Sequence, residues 1–183
     1  MSKEDSKSKS RLHCYVFNTP EHWTSLRQWW EWLDDNRGER ARLRRCETPE
    51  DVLLQSGFHA LCRKLPEWEK SDLIGLAAVA GLLSHVAEGS DIDFARQLGS
   101  SKDGGDRAAM SELRFQQLMA SENIDELYSR LRRAIQLLKR NGNIISLTDG
   151  VLHWSREQRS IYSSQPSQRF KYAWSKAYFS SVL

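Results

Sequence analysis

Cysteine, long apolar runs and net charge are all scarce in this chain, and each shortage removes a class of protein. Only three of the 183 residues are cysteine. None stands in a Cys-x-x-Cys arrangement, so a disulfide framework or zinc ribbon is not expected and a reducing cytosol is the natural compartment. The longest uncharged apolar stretch, residues 73–83, is too short for a bilayer, which needs about 20 residues. Residues 1–11 are rich in Ser and Lys with no apolar segment behind them, so they do not read as a secretory signal. The 27 basic and 24 acidic residues leave a net charge of +3, too little to name a partner. What is present is a globular composition, 39% hydrophobic and 28% charged. A chain of this length buries about 70% of its unfolded surface and builds one domain or two small ones.

The small total hides a strong segregation of charge. Residues 37–45 hold five basic side chains and one acidic, whereas residues 46–106 hold 11 acidic and five basic. From residue 107 onward basic residues again dominate. Basic clusters set apart from acidic stretches suit a surface that meets a polyanion on one side.

Strand-like alternation is also missing, with residues 143–147 the one weak candidate, and the pattern is helical nearly throughout. Thr19-Pro20 and Thr48-Pro49 each set an N-cap residue before a proline at the first helical position, with Glu21 and Glu50 favouring the helix dipole. Trp23, Leu26, Trp29, Trp30 and Leu33 share one face of the first helix. A break at 36–38 precedes a short basic helix ending near Cys46. Residues 73–83, LIGLAAVAGLL, are apolar all round, as in a helix enclosed by neighbours. A short helix follows over 91–98. Ser111 opens another, Asn123 with Glu126 caps one running to about Arg140, Ser146 with Asp149 starts the next, and Pro166 begins the last. The fold class is all-α: two small helical bundles, 19–103 and 107–183, joined by the Gly-containing loop at 100–106, after a flexible N-terminal segment, 1–18.

Groups able to do chemistry do not converge. His59 and Cys62 are spaced i, i+3 in an apolar context and read as a core pair, since two ligands do not make a metal site. His13 and Cys14 are adjacent and face different ways. Asp34-Asp35 and Asp91-x-Asp93 read as caps or solvated charges; Mg²⁺ held by Asp91 and Asp93 in a nuclease is the weaker alternative. Gly104-Gly105 is followed by Asp106, which repels phosphate. His22, His85 and His153 read as structural. No catalysis, no metal and no cofactor are expected.

The arginine clusters say more. Arg40 and Arg44 share a face at i, i+4, with Leu43 and Cys46 turned away. Arg133 and Arg140 line up seven apart, and Arg132 with Lys139 makes a parallel line. Seven residues span about 10 Å of helix, a spacing suited to backbone phosphates, which basic side chains bind without reading bases. Of the seven tryptophans, Trp23, Trp29, Trp30 and Trp154 sit at core spacing. Trp32 and Trp174 are the candidates for stacking or a protein interface.

In order and spacing, WWEWL (29–33), RARLRR (40–45), FHAL (58–61), LAAVAGLLSH (76–85), FARQLG (94–99), SELRFQQL (111–118), DELYSRLRR (125–133), VLHW (151–154) and WSKAY (174–178) form a recognisable series. With them the chain resembles, over about residues 23–178, the small subunit of the type I-E CRISPR surveillance complex Cascade, the CasB family. The resemblance implies an all-helical, two-bundle, non-enzymatic and cytoplasmic protein. It implies two copies that contact each other, the crRNA-binding backbone subunits and the large subunit, with no membrane partner. It further implies a basic surface that holds nucleic-acid backbone, whether crRNA, target DNA or the displaced strand, and so stabilises the R-loop in antiviral defence. By motif Arg44, Arg45, Arg114, Arg132 and Arg133 carry over, whereas Arg40, Arg107, Lys139 and Arg140 rest on helical geometry. The alternative is an architectural helical adaptor whose basic faces meet acidic patches on other proteins. The segment before Pro20 and the Gly104-Gly105 loop are longer than the family pattern.

Overall fold

Local signals written into the sequence set most of the helices. The computed structural model describes residues 13–101 and 104–182; residues 1–12 of the expected flexible segment, Lys102 and Asp103 of the expected linking loop, and Leu183 lie outside the described residues. In order the helices are α1 (Pro20–Asp35), α2 (Arg37–Arg45), α3 (Pro49–Val52), α4 (Ser56–Lys64), α5 (Pro66–Ser71) and α6 (Leu73–Leu83). After strand β1 (Glu88–Gly89) come α7 (Phe94–Gly99), α8 (Glu112–Met119) and α9 (Ile124–Leu137). Strand β2 (Asn141–Gly142), α10 (Ile144–Gln158), a 3-10 turn (Pro166–Gln168) and α11 (Phe170–Val182) complete the chain.

The caps explain several of these boundaries. Thr48 accepts from the Asp51 backbone N–H while Asp51 accepts from that of Thr48, a reciprocal box that starts α3. Asn123 Oδ1 accepts from Glu126 N–H at 3.0 Å, but the Glu126 carboxylate receives Glu122 N–H instead, so the expected box is only half formed. The helix expected from Ser146 starts earlier. Asn143 Oδ1 accepts from the N–H groups of Ile145 and Ser146, which sets α10 in motion at Ile144. Residues 143–147, the one weak strand candidate, are therefore the helix cap and first turn. The strand character falls on two residue pairs instead, Glu88 with Asn141 and Gly89 with Gly142, in parallel register.

The apolar helix α6 is the centre. Residues 75–83 are all buried, and α6 packs against α3, α10, α9 and α5. Each fully buried leucine there contributes about 1.5–3 kcal/mol. Asp72 caps it, accepting Gly75 N–H at 2.9 Å. At Gly81 the missing side chain lets the Tyr128 hydroxyl of α9 lie against the helix, in space a Cβ would occupy. The buried apolar side chains form one continuous cluster from Phe17 to Tyr178, and helices on both sides of the loop at 100–106 share it. Helix α7 lies along α11, and the Tyr178 hydroxyl donates to Met110 O at 2.7 Å.

Residues 13–18, grouped by sequence with the flexible start, are anchored. Phe17 is fully buried. The Asp149 carboxylate of α10, itself buried, accepts backbone N–H groups from Tyr15 at 3.0 Å, Val16 at 2.7 Å and Phe17 at 2.7 Å. Three donors on one carboxylate make a clamp that the sequence disguised as a helix-capping residue. Replacing Asp149 with Ala strands those N–H groups, one buried and two half-buried, and a buried unpaired group costs about 1–3 kcal/mol. The expected result is a fall in unfolding free energy of about 3 kcal/mol or more, read by urea denaturation. Amide exchange should accelerate first at residues 15–17.

Candidate nucleic-acid interface

Helix α2 divides its arginines between inside and outside. Leu43 is buried against the core, and with it, three residues earlier, goes Arg40. The Arg40 guanidinium donates to Trp30 O at 3.1 Å and Val86 O at 3.3 Å. It pairs with Asp34 at 3.2 Å and sits over the Trp30 ring, 5.7 Å from its centroid. Its Nε is buried without a partner among the described residues. Arg44 and Arg45 face solvent. Arg40 therefore fastens α2 to the turn after α6, while the next turn of the helix presents charge.

Helix α9 meets this surface from the other side. Tyr128 is fully buried, and its hydroxyl donates to Cys46 O, the C-cap of α2, at 3.2 Å. That bond ties the end of the first basic segment to the start of the second. One turn beyond, the Arg132 guanidinium stands over the Tyr128 ring at 5.7 Å, and Arg133 is exposed. Arg130 is occupied, pairing with Glu126 and donating to Gln117 O. The helical line expected through Arg133 and Arg140 does not exist, because α9 ends at Leu137. Lys139 and Arg140 take left-handed backbone conformations, φ 54° and 64°, which non-glycine residues rarely adopt. This sharp turn brings the Arg140 carbonyl to the N–H groups of Ala87 and Glu88. It also sends the Arg140 Nε to His85 O at 3.0 Å.

His85, just past the end of α6, is where the three segments meet. It is buried, and its Nε2 has no hydrogen-bond partner among the described residues. Burial first, then the charges of Arg132, Arg44 and Arg140, push its pKa from the ordinary 6.5 down to about 4. The same crowding acts among the arginines. Burial and then Arg140 lower Arg44. Arg40 is lowered by burial, partly offset by Asp34, with Arg140 and Arg44 adding to the fall. Beside this cluster a recess of about 300 Å³ is lined by His85, Ser129, Arg132, Arg133 and Gln136. A second, of about 430 Å³, is lined by Leu33, Asp34, Arg37, Arg40, Ala41 and Arg44. Sequence reasoning treated His85 as structural and missed Tyr128, Ser129 and Gln136. The one signal for His85 was its position directly after a fully apolar helix.

The remaining candidates lie apart from this convergence. Arg107 is exposed before α8, and Arg114 is exposed on α8. No hydrogen bond, ion pair or ring contact among the described residues joins either to the cluster. Lys139 is exposed in the turn after α9. Trp174, expected as a stacking candidate, is buried against Phe94 and Phe170, and Trp32 is half-buried against the core. His59 is exposed and hydrogen-bonded to Leu53 O, so only Cys62 of the expected pair lies in the core. The three cysteines are free. Asp93 caps α7 through the N–H groups of Ala95 and Arg96, and burial raises its pKa. Among the described residues no group of three or more His, Cys, Asp or Glu could hold a metal ion. No helix there is long and apolar enough to cross a membrane.

The depressed His85 pKa has a consequence for stability. The unfolded chain takes up a proton near pH 6.5, whereas the folded chain resists it until about pH 4. The contribution of His85 to folding stability is therefore fully present above about pH 6.5 and is lost as pH drops towards 4, about 3 kcal/mol from this one group. His85→Gln should remove that part of the acid dependence, measured as unfolding free energy from pH 7 to 4 against the parent chain. An unchanged slope would show that His85 is not held neutral.

A family model described as CRISPR-associated protein Cse2 matches residues 39–179. That span includes α2 from Glu39 onward, α6, α9 and the His85 turn, so Arg40, Arg44, Arg132 and Arg140 all fall within it. No curated protein and no solved structure matches significantly. With a predominantly helical architecture and most of its length matched, the chain belongs to the CRISPR-associated Cse2 family, the small subunit of the type I-E Cascade complex.

Proposed function

We propose that this chain, within Cascade, holds the phosphate backbone of nucleic acid across the basic face gathered around His85 and thereby stabilises the R-loop in antiviral defence. Members of its family are non-catalytic parts of that multi-subunit complex. The observation that carries the reading is the gathering of basic side chains from three segments around the His85 turn. Arg140 donates to His85 O at 3.0 Å, Arg132 and Arg133 line a recess with His85, and Tyr128 ties α9 to the end of α2, where Arg44 is exposed. Like charges brought together this way repel one another in the free chain and gain most from a polyanion. R-loop formation exchanges one duplex for another of similar stability, so modest backbone contacts tip the balance.

Arg45 and Arg133, both exposed, extend the charged surface along α2 and α9. Arg40 contributes from inside, as the strut that fixes α2. Arg107 and Arg114, exposed elsewhere on the chain, and Lys139, which shares no helical line with Arg132 because α9 ends at Leu137, enter the proposed interface from the sequence alone. The partners are crRNA, the target and displaced DNA strands, the backbone and large subunits, and a second copy of the chain.

Replacing Arg44, Arg45, Arg132 and Arg133 with Ala in the assembled complex should weaken target binding uniformly across target sequences. The slope of log affinity against log salt should become shallower by about 0.9 for each phosphate contact removed. Unchanged affinity together with an unchanged slope would overturn the reading.

A further inference from the structure

The recess beside His85 carries two chemistries where phosphate binding needs one. Arg132 and Arg133 line it with charge and donate only. Ser129, Gln136 and a neutral His85, which also line it, each both donate and accept. A phosphate accepts hydrogen bonds and never donates, so it leaves those acceptors unused. A nucleobase edge presents donors and acceptors side by side. At about 300 Å³ the recess has the volume of a small ligand pocket, the low end of a range of ~300–1,000 Å³. No carboxylate lines it.

The placement is coherent. Ser129, Arg132, Arg133 and Gln136 stand at i, i+3, i+4 and i+7 on one face of α9 and therefore act together. His85 closes the same recess from the end of α6, buried and with Nε2 unpartnered among the described residues. Burial and the flanking arginines keep its ring neutral at physiological pH, so it adds no positive charge to the recess.

Building on the backbone-binding reading above, we propose that this recess seats one unpaired nucleobase of the bound strand. Ser129 and Gln136 hydrogen-bond its edge, while Arg132 and Arg133 hold the adjoining phosphates. The grip then depends on the presence of a base as well as on the backbone, which charged side chains alone do not sense.

The test uses the full chain and fluorescence anisotropy with two labelled single strands of equal length and charge, an oligothymidylate and an abasic oligomer. The parent chain should bind the thymidine strand about fivefold more tightly, the worth of one or two hydrogen bonds. The double variant Ser129→Ala, Gln136→Ala should bind both strands alike, at the affinity the parent shows for the abasic one. Gln136 is exposed and Ser129 half-buried, so the variant should melt at the parental temperature. Equal binding of both strands by the parent overturns the proposal. So does a preference that survives in the variant, or loss of abasic binding at an unchanged melting temperature. Failure of the parent chain to bind either strand also overturns the proposal, which needs a grip in the free chain, whereas the backbone reading stands or falls on the salt dependence of the assembled complex.

Discussion

Two adjacent carbonyl oxygens at the end of the central helix hold this surface together. His85 O accepts from Arg140 and Val86 O from Arg40, so guanidinium groups from distant parts of the chain grip one short turn. A third bond, from the Tyr128 hydroxyl to Cys46 O, joins the ends of α2 and α9 directly. Hydrogen bonds from charged donors contribute about 1.5–3 kcal/mol each, and these oppose the mutual repulsion of the arginines they bring together. Without such ties, charge of one sign would spread apart.

The core explains why this turn can serve as an anchor. Helix α6 is enclosed on nearly every side, so the residues leaving its C-terminus start from a fixed point. Gly81 gives Tyr128 its seat, and Tyr128 positions both the Arg132 side chain and the end of α2. One packing contact in the core therefore sets the spacing of charges at the surface. Asp34 answers Arg40, whereas Arg44, Arg132 and Arg140 have no such ion pair among the described residues. That imbalance is what makes the face receptive to an anionic polymer.

Much of the fold was legible because its signals are local. Proline at N1, the Thr48 box and the Asn123 cap are readable within four residues, and the limits of α6 follow from an unbroken apolar run. What escaped depends on contacts distant in sequence. Ser146 and Asp149 look like a helix start, yet the Ser146 hydroxyl accepts Phe94 N–H and Asp149 clamps residues 15–17, leaving Asn143 to cap α10. Lys139 and Arg140 look like a further helical turn, but pairing with residues 87–88 bends them into left-handed conformations. Within RARLRR, the alphabet does not say which arginine turns inward. Arg40 does so because it sits one turn before the buried Leu43, facing carbonyls contributed by other segments. The basic character of the site was thus visible in composition, while its focus on His85 was visible only once the segments were assembled.

The most direct test of the account is photo-cross-linking in the assembled, target-bound complex, with adducts mapped by mass spectrometry. Nucleic-acid adducts are expected on the peptides carrying Arg44 and Arg45 and on those spanning residues 129–140. Adducts confined to other surfaces of the chain, or none at all, would contradict it.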